Sequence, residues 1–300
     1  MAASGPQIHP FTTQVVDAMR SLYPEELADR SWDNVGLLLS NINLQQSASS
    51  SQPKVLLTND LTVAVAEEAI RRSASVIVSY HPFLFRPIKS IGLADPHQRI
   101  ILQLVQANIA VYSPHTAVDA APGGMADWLA DMLPGATATS SARKVVVTPL
   151  AESETVPPNS GYGRAVYLDQ PLPLTQVIKA YADGLGGQRY LMIARPKGMS
   201  EIRSAAVCPG SGYDVLKDCD AELIVTGEMT HHNALKAVMT GKCVIAAFHS
   251  NSERTFLKER MRPALEKLLR KQVAEAEVLV SEVDEDPFEI VDVEDIRLRE

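Results

Sequence analysis

From residue 55 to residue 133, short apolar runs alternate with amphipathic segments, and this alternation restricts the chain to helix-covered sheets. VLLTND at 55–60 reads as a buried strand, TVAVAEEAIRRS at 62–73 as a helix with Thr62 as its N-cap, and SVIVSY at 75–80 as a second strand. PHQRIILQLVQAN at 96–108 then reads as a helix, IAVYSP at 109–114 as a strand and GGMADWLADML at 123–133 as a helix. Strand, helix, strand with short connections is the pattern of an α/β fold with a largely parallel sheet. Upstream, residues 10–28 carry Val15, Val16, Met19 and Leu22 at helical spacing, 31–40 turn extended, and 41–53 read as a polar, serine-rich loop.

A polar, proline-containing break at 151–162 precedes a second α/β unit. Strands are expected at 164–170, 189–196, 202–208, 221–227, 243–249 and 277–282, with helices at 174–186, 212–218, 230–240 and 252–271. The two units, about 10–150 and 160–290, are expected to be lobes of one domain spanning 10–290.

Composition narrows the functional classes. The 300 residues suffice for a large core, and a net charge of -8 argues against nonspecific binding to nucleic acid or anionic membranes, which needs a basic face. No run has the apolar length of a membrane span, and the first residues lack a signal-peptide core. Cys208, Cys219 and Cys243 fit no CxxC pair and read as reduced core thiols. The expected compartment is the cytoplasm, with the nucleus as an alternative.

The polar residues cluster by position. Five of the seven histidines fall at or just beyond a strand's carboxyl end: His81, His115, His231, His232 and His249. In open α/β sheets this is the edge where ligands bind. His115 and Asp119 are four residues apart, as are His249 and Glu253, and imidazole with carboxylate is a donor set for zinc, manganese or iron. Each pair also suits a structural role, the first as a hydrogen-bonded pair and the second as a helix cap. Together, His81, Asp119, His249 and Glu253 are the expected ligands of one or two divalent ions, all from one sheet edge. His231, His232 and His115 are the candidates for proton transfer. Gly210, Ser211 and Gly212, between a strand and a helix, form a turn that suits either a phosphate contact or a tight connection. A serine–histidine–aspartate triad lacks a GxSxG elbow.

SWDNVGLLL, VIVSYHPFLFRPIKSI, VYSPHTAVDAAPGGMADWLA, AAVCPGSGYDVL, TGEMTHHNAL, HSNSERTFL and SEVDEDPF occur in the order seen in the NIF-three-like family, which the chain resembles over roughly 10–290. The family's founding name is Ngg-one-interacting factor three, and bacterial members carry the label GTP cyclohydrolase I type 2 homolog. The SYHP and SEVDEDP forms resemble its eukaryotic branch. The resemblance implies two interlocked α/β lobes with mixed, largely parallel sheets, a dinuclear metal centre, and homo-oligomeric rings, often hexamers. His81 matches the second histidine of the family's HHP motif, Asp119 its acidic ligand, and His249 and Glu253 its final histidine and bridging glutamate. Tyr80 stands where the first histidine would be. The resemblance thus implies one well-supported ion, and a second that is weaker or rebuilt with Tyr80, His115 or water.

Two functions are expected from these readings. One is a metal-dependent hydrolase acting on a nucleotide or phosphoester. The other is a non-enzymatic oligomeric scaffold or regulatory partner in transcription-related interactions.

Overall fold

Eleven strands form two sheets among the described residues of the computed structural model, which are 7–43, 53–136 and 142–294. Most of the serine-rich loop, 44–52, lies outside them. The first sheet has the order β1-β4-β3-β2-β11, with β1 at Gly36–Leu39, β2 at Lys54–Thr58, β3 at Val76–Ser79, β4 at Ala110–Ser113 and β11 at Glu277–Val280. All its neighbours are parallel except β1, which runs antiparallel to β4. The second sheet has the order β5-β6-β8-β9-β10-β7, with β5 at Arg143–Pro149, β6 at Gly161–Pro173, β7 at Met192–Ala194, β8 at Glu201–Val207, β9 at Leu223–Thr226 and β10 at Cys243–Ala246. Here only β8, β9 and β10 are mutually parallel. A largely parallel arrangement therefore describes the first sheet, while the second is mixed because β5, β6 and β7 join it antiparallel.

Alternation along the strands builds the layers. Val55 and Leu57 of β2 face a central core, whereas Leu56 between them faces outward. Helices α2 (Val63–Arg71) and α3 (Pro96–Gln106) cover that outer face through Val65, Ala69, Ile100 and Leu104. The second sheet repeats the scheme: Val207 and Ile245 face the central core, while Ala206 and Val244 face outward with α7 (Tyr213–Leu216) and α8 (His231–Met239). Between the sheets lie α1 (Pro10–Leu22), α4 (Thr116–Ala120), α5 (Met125–Asp131), α6 (Leu174–Gly184), α9 (Arg254–Phe256) and α10 (Arg262–Leu269), whose apolar faces share one core. Strand β11 comes from the far end of the chain and closes the first sheet beside β2.

The element boundaries differ from expectation where the chemistry is local. Thr62 does cap α2, accepting from the Val65 amide at 3.3 Å. Helix α4 and strand β5 were not expected; the first is five residues long and the second has an irregular, half-exposed pattern. The segment 252–271 is not one helix. It runs through α9, a π-helical stretch at Leu257–Met261 and then α10. Pro263 has no amide hydrogen to give the Glu259 carbonyl, and the wider turn absorbs that missing bond. No helix among the described residues is long and apolar enough to cross a membrane.

Candidate metal centre

The carboxyl ends of both sheets meet at one place. In the first sheet the ladder continues past the strands: the Tyr80 amide donates to the Thr58 carbonyl at 2.9 Å, His81 to Asn59 at 3.0 Å, and His115 to Tyr80 at 3.2 Å. Ser79 Oγ also donates to the His81 carbonyl at 2.7 Å. In the second sheet the Glu228 amide donates to the Gly210 carbonyl at 2.9 Å, and Ala247 to Thr226 at 3.0 Å. These bonds present Asn59, Asp60, Tyr80, His81 and His115 from one side, and Gly210, Glu228 and His249 from the other. The expectation of a single sheet edge is corrected accordingly: the residues come from two edges that face each other.

His81, His249 and Glu253 form the one group that could hold a metal ion among the described residues. Glu253 is buried, at 1% exposure, and sits between the imidazoles, with His81 Nε2 at 3.5 Å from one oxygen and His249 Nε2 at 3.4 Å from the other. A 3₁₀ turn at Ser250–Ser252 carries the chain from His249 to Glu253, which precedes α9 instead of lying in its first turn. Burial pushes the Glu253 carboxyl well above the usual carboxylate range, although the Asn59 amide donates to it at 3.0 Å.

Each imidazole is held from behind. His81 Nδ1 lies 2.9 Å from Asp60, and His249 Nδ1 lies 3.1 Å from Glu228. A carboxylate on the far nitrogen fixes ring orientation and directs the other nitrogen at the ion. Burial raises the Asp60 and Glu228 carboxyls, but their bonds to His81 and His249 outweigh it and hold both below their ordinary values. The sequence reading missed these two carboxylates, although each ends a strand-terminal run, TND at 58–60 and TGE at 226–228.

Two further observations fit a cation. A Cβ built at Gly210 would lie 2.7 Å from Glu253 Oε1 and 2.9 Å from His249 Nε2, so the glycine, with φ +55°, leaves space open against the donors. Asn59 Oδ1 is buried without a hydrogen-bond partner, while its amide nitrogen serves Glu253 and Asp60. A lone buried acceptor beside carboxylates and imidazoles suits a site built for positive charge.

The other expected residues divide. Asp119 does not join the group of three; it accepts the Tyr80 hydroxyl at 2.6 Å, and burial lifts its carboxyl to about 6 despite that bond. Burial likewise pushes the Tyr80 hydroxyl well up, so it remains a proton donor. His115 Nδ1 is held by Asp33 at 2.7 Å, and its ring lies 5.3 Å from that of His81. His231 and His232 sit together on the first turn of α8, exposed and outside the lining of the adjoining cavity. The Gly210 and Gly212 amides donate to Ser252 and Thr226 hydroxyls at 2.9 and 3.2 Å, and Ser211 Oγ donates to Glu228 at 3.0 Å. The turn thus supports Glu228 and makes room at the donors, with those groups engaged inside the protein. A cavity of about 850 Å³ opens onto His81 and His249.

Known proteins resemble this chain over nearly its whole length. A Schizosaccharomyces pombe relative described as "Protein NIF3 homolog" is 41% identical, covering 93% of this chain and 97% of that relative. The Saccharomyces cerevisiae "NGG1-interacting factor 3" is 37% identical over 92% of this chain and 96% of its own. Among solved structures, a Bacillus cereus protein related to NIF3 superposes with a TM-score of 0.71 at 21% identity, covering 93% and 98% of the two chains. HcgD from Methanocaldococcus jannaschii gives 0.69 at 19%, covering 89% and 96%. At such identities these structures speak to the fold alone. The family model for Duf34/NIF3 (NGG1p interacting factor 3) matches residues 11–287, and the chain belongs to that family.

Proposed function

We propose that this chain binds a divalent cation through His81, His249 and Glu253 and uses it for hydrolysis. The observation that carries this reading is Glu253, a buried carboxylate set between two imidazole nitrogens whose rings are each fixed by another carboxylate. The donor set suits zinc, manganese or iron. When bound, the ion supplies the Lewis acidity that polarises a substrate and activates water. The chain's own residues supply the rest. Asp60 and Glu228 hold the imidazoles in register, and Tyr80 keeps its proton on the hydroxyl that faces Asp119. Burial lifts the Asp119 carboxyl that accepts this hydroxyl to about 6.

The centre is read as holding one ion tightly. The groups that would make a second position, Tyr80, Asp119 and His115, are engaged with one another or with Asp33. Metal analysis of the purified protein, followed by a nucleotide and phosphoester panel with Glu253→Gln as control, tests the proposal. One tightly held ion and turnover lost in the variant are expected. No turnover on any substrate, with wild type and variant alike, would contradict hydrolysis.

A second reading is a non-enzymatic partner protein, in which the ion fixes local structure. The closed Tyr80–Asp119 pair favours it, because a two-ion reaction then lacks its second position. The name of the S. cerevisiae relative, an interacting factor, points the same way. In either reading the chain is proposed to assemble as a homo-oligomeric ring, which light scattering tests directly.

A further inference from the structure

The segment between β3 and α3 keeps its apolar side chains on the outside. Phe85, Ile88, Ile91 and Leu93 are 46%, 40%, 54% and 70% exposed. Both ends of the segment are fixed. Phe83 packs against the core under α2 and α3, the Leu84 carbonyl accepts from the Asn34 side chain at 2.5 Å, and the Gly92 amide donates to Gln98 Oε1 at 2.9 Å. Phe85 also stands against Trp32, with 6.1 Å between ring centres. Between these anchors the amides of Phe85, Arg86, Ile88, Lys89, Ser90 and Ile91 make no hydrogen bond among the described residues. An apolar run that is held in place and offers open amides is a surface that an added chain can complete.

The groove beside it, of about 560 Å³, lies between this segment and the start of α3. Its charge is opposite to that of the chain, which carries -8. Arg86 and Lys89 line it, exposed and without an ion pair among the described residues. The one acid in the lining, Asp95, is occupied as the cap of α3, accepting the Gln98 amide at 3.0 Å. An anionic membrane or a nucleic acid would face the charge of the whole molecule, whereas a short acidic segment meets only these two cations. An extended chain suits the remaining features: its carbonyls meet the open amides, and its apolar side chains meet Phe85 and Ile88.

We propose that the groove between residues 83–93 and α3 binds an extended segment of another protein in which apolar residues alternate with aspartate or glutamate. Such binding deepens the reading of the chain as a partner protein, and rests on it only in taking a protein as the ligand; it needs no ion.

Fluorescence anisotropy of the full-length protein with short labelled peptides tests it. One set alternates phenylalanine, isoleucine or leucine with glutamate, a second has lysine in place of glutamate, and a third has serine in place of the apolar residues. Saturable binding of at least one acidic, apolar peptide is expected, with its lysine and serine counterparts each at least about tenfold weaker. Ile88→Asp should weaken binding about tenfold, as loss of an apolar anchor does. Arg86→Glu combined with Lys89→Glu should transfer the preference to the lysine peptide, a reversal that a misfolded variant cannot give. No saturable binding at millimolar peptide, equal binding of acidic and lysine peptides, or an Ile88→Asp variant with unchanged affinity would each overturn the proposal. Without peptide binding, self-association lost in Ile88→Asp would assign the groove to a second copy, and binding to vesicles of phosphatidylcholine and phosphatidylserine would assign it to a membrane; either result would also overturn it. Turnover of a phosphoester together with peptide binding would sink the non-enzymatic reading and leave the groove standing. Absence of both would do the reverse.

Discussion

Gly210 controls the space at the donors more directly than any other residue of its turn. A methyl group there would stand within 3 Å of both Glu253 Oε1 and His249 Nε2, two side chains already held by other partners. Gly210→Ala is therefore expected to lower zinc affinity by about tenfold or more in a chelator competition, comparable with loss of an outer-shell partner. Asp60→Asn and Glu228→Gln should each lower it by about 10–100-fold by releasing an imidazole, and unchanged affinity in both would contradict the account of how the rings are held. Asp119 carries a pH dependence of stability. Its folded value of about 6 lies above the ordinary 3.8, so the stability it contributes is fully present below about pH 4 and lost as pH rises through 6. Asp119→Asn is expected to stabilise the metal-free protein by about 1–2 kcal/mol near pH 8 and to change little near pH 4, as read by urea unfolding. An equal effect at both values would contradict it. His81, His249 and Glu253 were legible in the sequence because histidine is scarce and theirs end apolar strands. Asp60, Glu228 and Asp33 were not, because acidic residues number 36 and only the folded chain shows which of them face an imidazole. His231 and His232 looked equivalent to the others by position, yet the first turn of α8 turns them to solvent.

At the scale of elements, the segment after β11 ties the chain's end to the centre. Asp284 accepts the Asn59 amide at 2.6 Å, and Asp286 accepts the Ser250 hydroxyl at 2.9 Å, so it touches the neighbours of Asp60 and of His249. Truncation after Val280 keeps every strand and is expected to preserve the circular dichroism spectrum while lowering zinc affinity about tenfold, the effect of losing outer partners. Full affinity in the truncated chain would show that the segment plays no part in holding the site. The strands and helices between 55 and 133 were readable because short, wholly apolar runs, buried on both faces, alternate with longer amphipathic segments. Strand β5 was missed for the opposite reason: its residues are exposed or half-buried with no clean alternation. The break between α9 and α10 depends on Pro263, whose effect falls four residues upstream at Glu259.

For the molecule as a whole, the two sheets share one core, and β11 joins the first sheet after the chain has completed the second. Neither lobe is closed without the other. Thermal unfolding of the metal-free protein is expected as a single calorimetric transition, and two separated transitions would contradict a shared core. The linear order of lobes was visible in the sequence, but the return of β11 was not, since a short apolar strand carries no label for its partner. The same closure brings His81 from one sheet to His249 and Glu253 from the other, which is where the proposed ion would sit. Anomalous diffraction at the zinc edge from zinc-soaked crystals measures that position. One strong peak is expected among His81 Nε2, His249 Nε2 and the Glu253 carboxylate, absent in Glu253→Gln; no peak there, or an equal peak in the variant, would contradict a site held between the two sheets.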